Sequence, residues 1–431
     1  GDILVQNDRS ALTCTSCLWP KNDDGIVPIP YVIDSRYSPN DLNVITLAMT
    51  EFDSLTCVRF LPLTTEEDYV NITPDNGCYS FLGRTGGSQT VSLGGGCVYM
   101  GIIQHELEHV LGFHHEHARS DRDNYIDINY QYITEGYQGN FAKADTNNLG
   151  TPYDYGSVMH YSAYAFSNTA NQPTIVPKPD PNVPIGQRFG LNVLDVVKIN
   201  QLYQCSVCST LLNNNTGIFT SANYPFAYPD DADCVWLIRA PSGQASLNFS
   251  SFNIQSSPKC ESDFMKIYDG PSKDSPVLLD KMCGSKAIPP VIASTSYMLV
   301  EFFSDGAVAG EGFQATYSSV QCGGTFFNSQ GSFTSPGYPG KYNYNMNCNY
   351  TITAPVGYKI ALTISDFHLE MSTLCKFDYV KLFMDGEQKG PFCGDLCSSV
   401  FYSKGNSMVL VFHSDNSIQA KGFQVSYTFS E

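Results

Sequence analysis

The sequence predicts a multidomain chain in which one α+β domain is followed by two all-β sandwiches, and three observations lead there. At 431 residues the chain is too long for one ordinary domain. Its first half mixes extended runs (IPYVID, TCVRFLPL, YVNITP) with two helical patterns, DLNVITLAMTEFDSL and GIIQHELEHVLGFHH. Its second half is an internal repeat of about 110 to 115 residues, too long for a solenoid unit and right for a self-contained domain.

In the first domain, the apolar residues Ile102, Ile103, Leu107, Val110 and Leu111 recur at three and four, so one helix face can pack on a core. Five of the eight histidines fall between His105 and His117. His105 and His109 are four apart and share a helix face, so their imidazoles can hold one ion. Gly112 lets the chain leave the helix through a left-handed conformation and return His115 as a third ligand. By the same count His114 and His117 are not ligands. Zinc suits three nitrogens with a fourth position left open, and an open site is a catalytic one. Glu106, beside the first ligand, is placed to take a proton from the attacking water and pass it to a leaving amine.

Met159, in YDYGSVMHYSAYAF, is the candidate for the methionine turn beneath the zinc of a metzincin. HELEHVLGFHHEHARSDRD followed by SVMHY closely resembles the astacin family of zinc endopeptidases, over nearly all of residues 10–205. The resemblance implies an α+β metzincin (astacin-like) protease domain over residues 10–206, with residues 1–9 a residual propeptide. It implies that Tyr161 is a further zinc ligand whose phenol can swing off to stabilise the tetrahedral intermediate. It also implies that Glu116 anchors the mature N-terminal ammonium, that Arg188 lines the S1′ pocket, and that Asp2 occupies the water position on zinc as a zymogen switch. Arg9 then reads as the cut site of an activating trypsin-like protease. Family disulfides map onto Cys57 with Cys205 and Cys78 with Cys97, and Cys14 with Cys17 resembles an N-terminal pair of hatching enzymes. Departures from the family pattern fall at Glu108, His114 and Asn192, none of them a ligand or the general base.

In the second half, CSTLLNNNTGIFTSANYPFAYPDDADCVWLIRAP is answered by CGGTFFNSQGSFTSPGYPGKYNYNMNCNYTITAP, with the two cysteines 26 positions apart in each. Short runs rich in Val, Ile, Phe and Tyr alternate with polar residues between turn clusters, which reads as an antiparallel sandwich. The cysteine spacing, the GxFxSxxYPxxY stretch and the late FxSD resemble the CUB domain, at residues 208–319 and 322–430. The resemblance implies pairs Cys208 with Cys234, Cys260 with Cys283, Cys322 with Cys348, and Cys375 with Cys393, and leaves Cys397 alone. In calcium-binding members a Glu and two Asp supply the ligands. Glu370, Asp378 and Asp415 keep all three in the second copy, where calcium is expected. The first has Gln255 with Asp263 and Asp305, so a weak or absent site is expected there.

Acids outnumber bases 42 to 24, a net charge of -18, which excludes a phosphate-backbone partner. No apolar run approaches the roughly 18 residues of a membrane span. Fifteen cysteines point to an oxidising compartment, and Asn-x-Ser/Thr acceptors at Asn71, Asn214, Asn248 and Asn349 are compatible with it. Secretion is expected, with any leader removed ahead of Gly1. The expected function is a secreted zinc endopeptidase of extracellular glycoproteins, most like an amphibian-type hatching enzyme. The alternatives are a tolloid-like processing protease, disfavoured by the lack of an EGF-like cysteine cluster, and a CUB-driven binding protein with an inactive protease domain, disfavoured by the intact His105, Glu106, His109, His115 and Tyr161 set.

Overall fold

A six-stranded sheet backs the first of the two units into which the chain divides, Gly1–Leu211 and Leu212–Glu431. The structure is a computed structural model that describes residues 3–4 and 15–431, so Asp2, Arg9 and Cys14 lie outside the described residues. In chain order the strands are β1 (Ile3–Leu4), β2 (Val27–Ile33), β3 (Val58–Pro62), β4 (Tyr69–Thr73), β5 (Cys78–Phe81) and β6 (Ser88–Leu93). They lie in the order β1-β5-β6-β4-β2-β3. β6, β4, β2 and β3 are mutually parallel, while β5 runs antiparallel to β6 and carries β1 parallel to it, with Ile3 opposite Ser80.

Helix α1 (Pro39–Leu55) begins where Ser38 and Asp41 form a reciprocal capping box and Pro39 supplies a helical φ at N1. Ile45, Ala48, Met49, Phe52 and Leu55 form its buried stripe. Helix α2 (Met100–Val110) starts at Tyr99 without a side-chain cap. Its last carbonyls are met instead by Trp19 Nε1 on Val110 O (3.0 Å) and Tyr203 Oη on Leu111 O (2.9 Å), which satisfies acceptors that would otherwise be buried alone. Gln104 ties α2 to two neighbours, donating to Glu51 of α1 (2.9 Å) and accepting from Leu191 N (2.7 Å). Helix α3 (Val193–Leu202) opens on a second capping box, Asn192 with Asp195. The Cys57–Cys205 and Cys78–Cys97 disulfides lie in this unit.

The second unit contains two sandwiches, each a four-stranded sheet on a five-stranded one. Leu247, Ile267, Phe302 and Phe313 fill the first core, and Leu362, Leu382, Phe412 and Phe423 the second. The repeat extends to irregularities. The strand Gln244–Asn253 shifts register between Phe249 and Ser251, and its counterpart Lys359–His368 does so between Ile364 and Asp366. Disulfides join Cys260 to Cys283, Cys322 to Cys348 and Cys375 to Cys393. Cys208 and Cys234 are both disulfide-bonded, as is Cys17, and Cys397 is an exposed free thiol.

Candidate active site

His105 and His109 project from the inner face of α2 with ring centroids 4.7 Å apart. Gly112 then takes φ +102°, a conformation open to glycine at little cost, and the chain turns out of the helix. His115 returns to within 5.2 Å of His105 and 4.7 Å of His109, centroid to centroid. Ligand nitrogens of the three lie within 4.8 Å of one another, and all three residues are buried. His105 Nδ1 donates to Val158 O (2.8 Å) and His109 Nδ1 to Phe113 O (2.7 Å). Each donation fixes the tautomer that leaves Nε2 as the lone-pair donor. Three convergent neutral imidazoles fit zinc. Glu106 is buried beside them at 1% exposure.

Tyr161 is also buried, its ring 4.5 Å from that of His115 and stacked at 4.0 Å on His117. His117 donates Nε2–H to Asn140 O (2.9 Å) and stands outside the group that could hold an ion. Burial pushes its pKa well below the usual histidine range, and burial lowers His114 to about 4. Met159 is buried, its carbonyl accepting from Glu116 N (3.0 Å). Arg188 Nη1 donates to the carbonyls of Val158, His160 and Gln187 at 2.9 to 3.0 Å. The Arg188 backbone rests on Gly101 at the start of α2, so closely that a Cβ there would collide with Arg188 O.

Glu116 is engaged by interior cations. Lys198 Nζ reaches Oε2 (2.7 Å), while Arg119 Nη1 (3.1 Å) and Asp154 N (2.8 Å) reach Oε1. Asp195 accepts from Ser157 Oγ (2.6 Å) and Val158 N (3.0 Å). Burial raises the Asp195 carboxyl to about 6 against the opposing pull of Lys198. Asp154, Asp195 and Lys198 were not singled out by sequence reasoning, although LNVLD carries the Asn-x-x-Asp capping signature that marks Asp195.

A second cluster sits in the last sandwich, where Glu370, Asp378 and Asp415 bring carboxylate oxygens within 4.8 Å of one another. Tyr342 Oη donates to Asp378 and accepts from Glu370 N (3.0 Å), and Asp415 N donates to Asp378 Oδ1 (2.8 Å). The first sandwich repeats this frame with Tyr228, Asp263, Gln255 N and Asp305 N. Glu370 Oε2 is buried with no hydrogen-bond partner among the described residues, so the three acids fit a hard cation.

Comparison with known proteins agrees with this layout. Residues 15–204 match the astacin peptidase family, and residues 208–317 and 322–427 match the CUB domain. Embryonic protein UVS.2 of Xenopus laevis is 53% identical over 433 residues, which span 100% of this chain and 84% of that protein. The chain belongs to the astacin family. It is a zinc metalloendopeptidase whose protease domain is followed by two CUB domains. Astacin-like metalloendopeptidase of Gallus gallus is 51% identical over 323 residues, 74% of this chain and 79% of that one. Human tolloid-like protein 2 is 35% identical over 97% of this chain but only 42% of its own length. Among solved structures, high choriolytic enzyme 1, a hatching enzyme zinc-protease from Oryzias latipes, is 52% identical over 45% of this chain and 99% of that one, with a TM-score of 0.45. Among the described residues of this astacin, no helix is long and apolar enough to cross a membrane.

Proposed function

We propose that this astacin is secreted and cleaves extracellular glycoproteins, with egg-envelope proteins at hatching as its substrates. The observation that carries the catalytic part is the buried convergence of His105, His109 and His115 with Glu106 beside them. These three would hold zinc, which supplies Lewis acidity at the scissile carbonyl when bound. Glu106 takes the proton of the attacking water and delivers it to the leaving nitrogen. Tyr161, stacked on His117, would be a further ligand of the zinc, and its hydroxyl would be available to stabilise the developing oxyanion. Met159 would pack beneath the histidines. Arg188 lines the S1′ side, its guanidinium braced on backbone carbonyls.

Asp2 would keep the chain latent by supplying a carboxylate to the zinc until a trypsin-like protease cuts after Arg9. The new terminal ammonium then shares Glu116 with Lys198 and Arg119. Glu370, Asp378 and Asp415 would hold calcium in the second CUB domain. The hatching assignment is supported by the 53% identity to an embryonic protein across the whole chain, in contrast to a tolloid relative at 35% that this chain spans only in part. The test is to treat the chain with trypsin and incubate it with isolated egg envelope and, separately, with procollagen. Envelope solubilisation that a zinc chelator or Glu106→Gln abolishes is the expected result. Preferential cleavage of procollagen would move the assignment to a tolloid-like role, and chelator-insensitive cleavage would overturn the mechanism.

A further inference from the structure

We propose that one turn of α3 positions two of the three zinc-facing histidines, Asp195 acting on His105 and Lys198 on His115. Asp195 and Lys198 are three apart on the buried face of that helix, at 1% and 6% exposure. Neither belongs to the cluster that could hold the ion, so each acts through another group.

The Asp195 route is a chain of hydrogen bonds. Its carboxylate accepts from Val158 N at 3.0 Å, and the carbonyl of the same residue accepts from His105 Nδ1 at 2.8 Å. Asp195 also accepts from Ser157 Oγ at 2.6 Å, and that hydroxyl in turn accepts from Met159 N at 3.1 Å. The Ser157–Met159 turn is thereby pinned from α3 before it meets the imidazole. Successive bonds of this kind polarise one another in a poorly solvated interior. They fix both the ring orientation and the tautomer of a metal-facing histidine.

The Lys198 route is shorter. Lys198 Nζ pairs with Glu116 Oε2 at 2.7 Å, with side-chain exposures of 8% and 6%. Glu116 directly follows His115, and its N–H donates to Met159 O at 3.0 Å. Holding the carboxylate therefore holds the backbone that aims His115. Apolar side chains of similar volume would fill this wall at lower desolvation cost. Buried ion pairs and charged hydrogen bonds supply direction, which apolar contacts do not.

The inference rests on the three histidines binding zinc, and the experiment separates the two claims. The full chain is activated, stripped of metal and titrated with zinc against a chromophoric chelator. It is then loaded with cobalt(II), whose visible d–d bands report ligand geometry. Absence of tight zinc binding in the native chain would remove the zinc reading and this inference together. With that reading intact, Asp195→Asn and Lys198→Met are expected to weaken zinc binding by about 10- to 100-fold. They should also alter the cobalt bands and lower kcat with KM little changed, and Lys198→Arg should restore all three. Asn192→Ala, which removes the cap on Asp195 N and the amide bond to Asp154 Oδ2 but keeps the Asp195 carboxylate and Lys198, should lower the unfolding temperature and leave the cobalt spectrum as in the native protein. Native zinc affinity and native bands in both Asp195→Asn and Lys198→Met overturn the proposal. If Asp195→Asn does not fold, the Lys198→Met and Lys198→Arg pair decides.

Discussion

Replacing Glu370 by Gln turns the carboxylate set of the second CUB domain into that of the first, where Gln255 stands with Asp263 and Asp305 on the same tyrosine-centred frame. Asp378 is fully buried and Glu370 is 8% exposed. The Glu370 carboxyl is held above its usual range, by burial first and then by the charges of Asp378 and Asp415. Calcium bound there would relieve that repulsion. With a Kd of about 10⁻⁴ M, the tight end of extracellular modules, ~2 mM calcium adds about 2 kcal/mol through binding linkage. For a domain of this size that is roughly 10 °C in unfolding temperature. Removing one of three charges and weakening the site about tenfold leaves ~0.6 kcal/mol, or roughly 3 °C. Without calcium the sign reverses, because Glu370→Gln removes a buried negative charge that nothing offsets. Calorimetry of the full chain in chelator and in ~2 mM calcium reads both effects, and Gln255→Glu should confer a calcium response on the first CUB domain. A native transition indifferent to chelator, or equal shifts in native and Glu370→Gln chains, would refute the reasoning.

Glu106→Gln keeps the volume beside His105 but cannot take a proton, so kcat should fall by about 10²- to 10⁴-fold while one zinc per chain remains by metal analysis. Asp53 carries a carboxyl raised by burial to about 6, against the opposing hydrogen bond from Phe60 N and the charge of Arg59. Its folded pKa lies above the ordinary 3.8, so the stability it contributes is present below that value and is lost as pH rises through about 6, by about 3 kcal/mol. Asp53→Asn keeps an acceptor for Phe60 N and should raise the unfolding temperature at pH 7.5 but not at pH 4, which a thermal series across pH checks. Gly101→Ala would set a Cβ against the carbonyl of Arg188 and should cost about 1 to 3 kcal/mol in denaturant unfolding, with KM raised as the Arg188 segment moves.

The parts legible in the sequence share a property: each is written in local spacing. The four-residue step from His105 to His109 and the glycine exit at Gly112 are helix geometry, and the structure brings these imidazoles together with His115. The CUB repeat is likewise local, since alternation and cysteine spacing recur in each copy. Its register shifts at Phe249 and Ile364 left no sequence signal, because one extra residue in a Ser-containing strand looks like ordinary alternation.

The wall behind the histidines was illegible for the opposite reason. Lys198 lies 82 residues from Glu116, and Asp195 lies 38 from Ser157. No period links such pairs. In VLDVVKINQL an acid and a base three apart read as an exposed ion pair on a surface helix. Both fall instead on the buried face with Val196 and Ile199. A charged pair that interrupts an apolar stripe is then a signal in itself: it must meet partners in the interior, since an unpaired buried charge costs several kcal/mol. Glu108 gives the same signal on α2, where a buried acid stands between Leu107 and Val110. Charges set into otherwise apolar helical faces, on two helices that flank one cluster of histidines, therefore point to a polar layer behind that cluster before any coordinate is known.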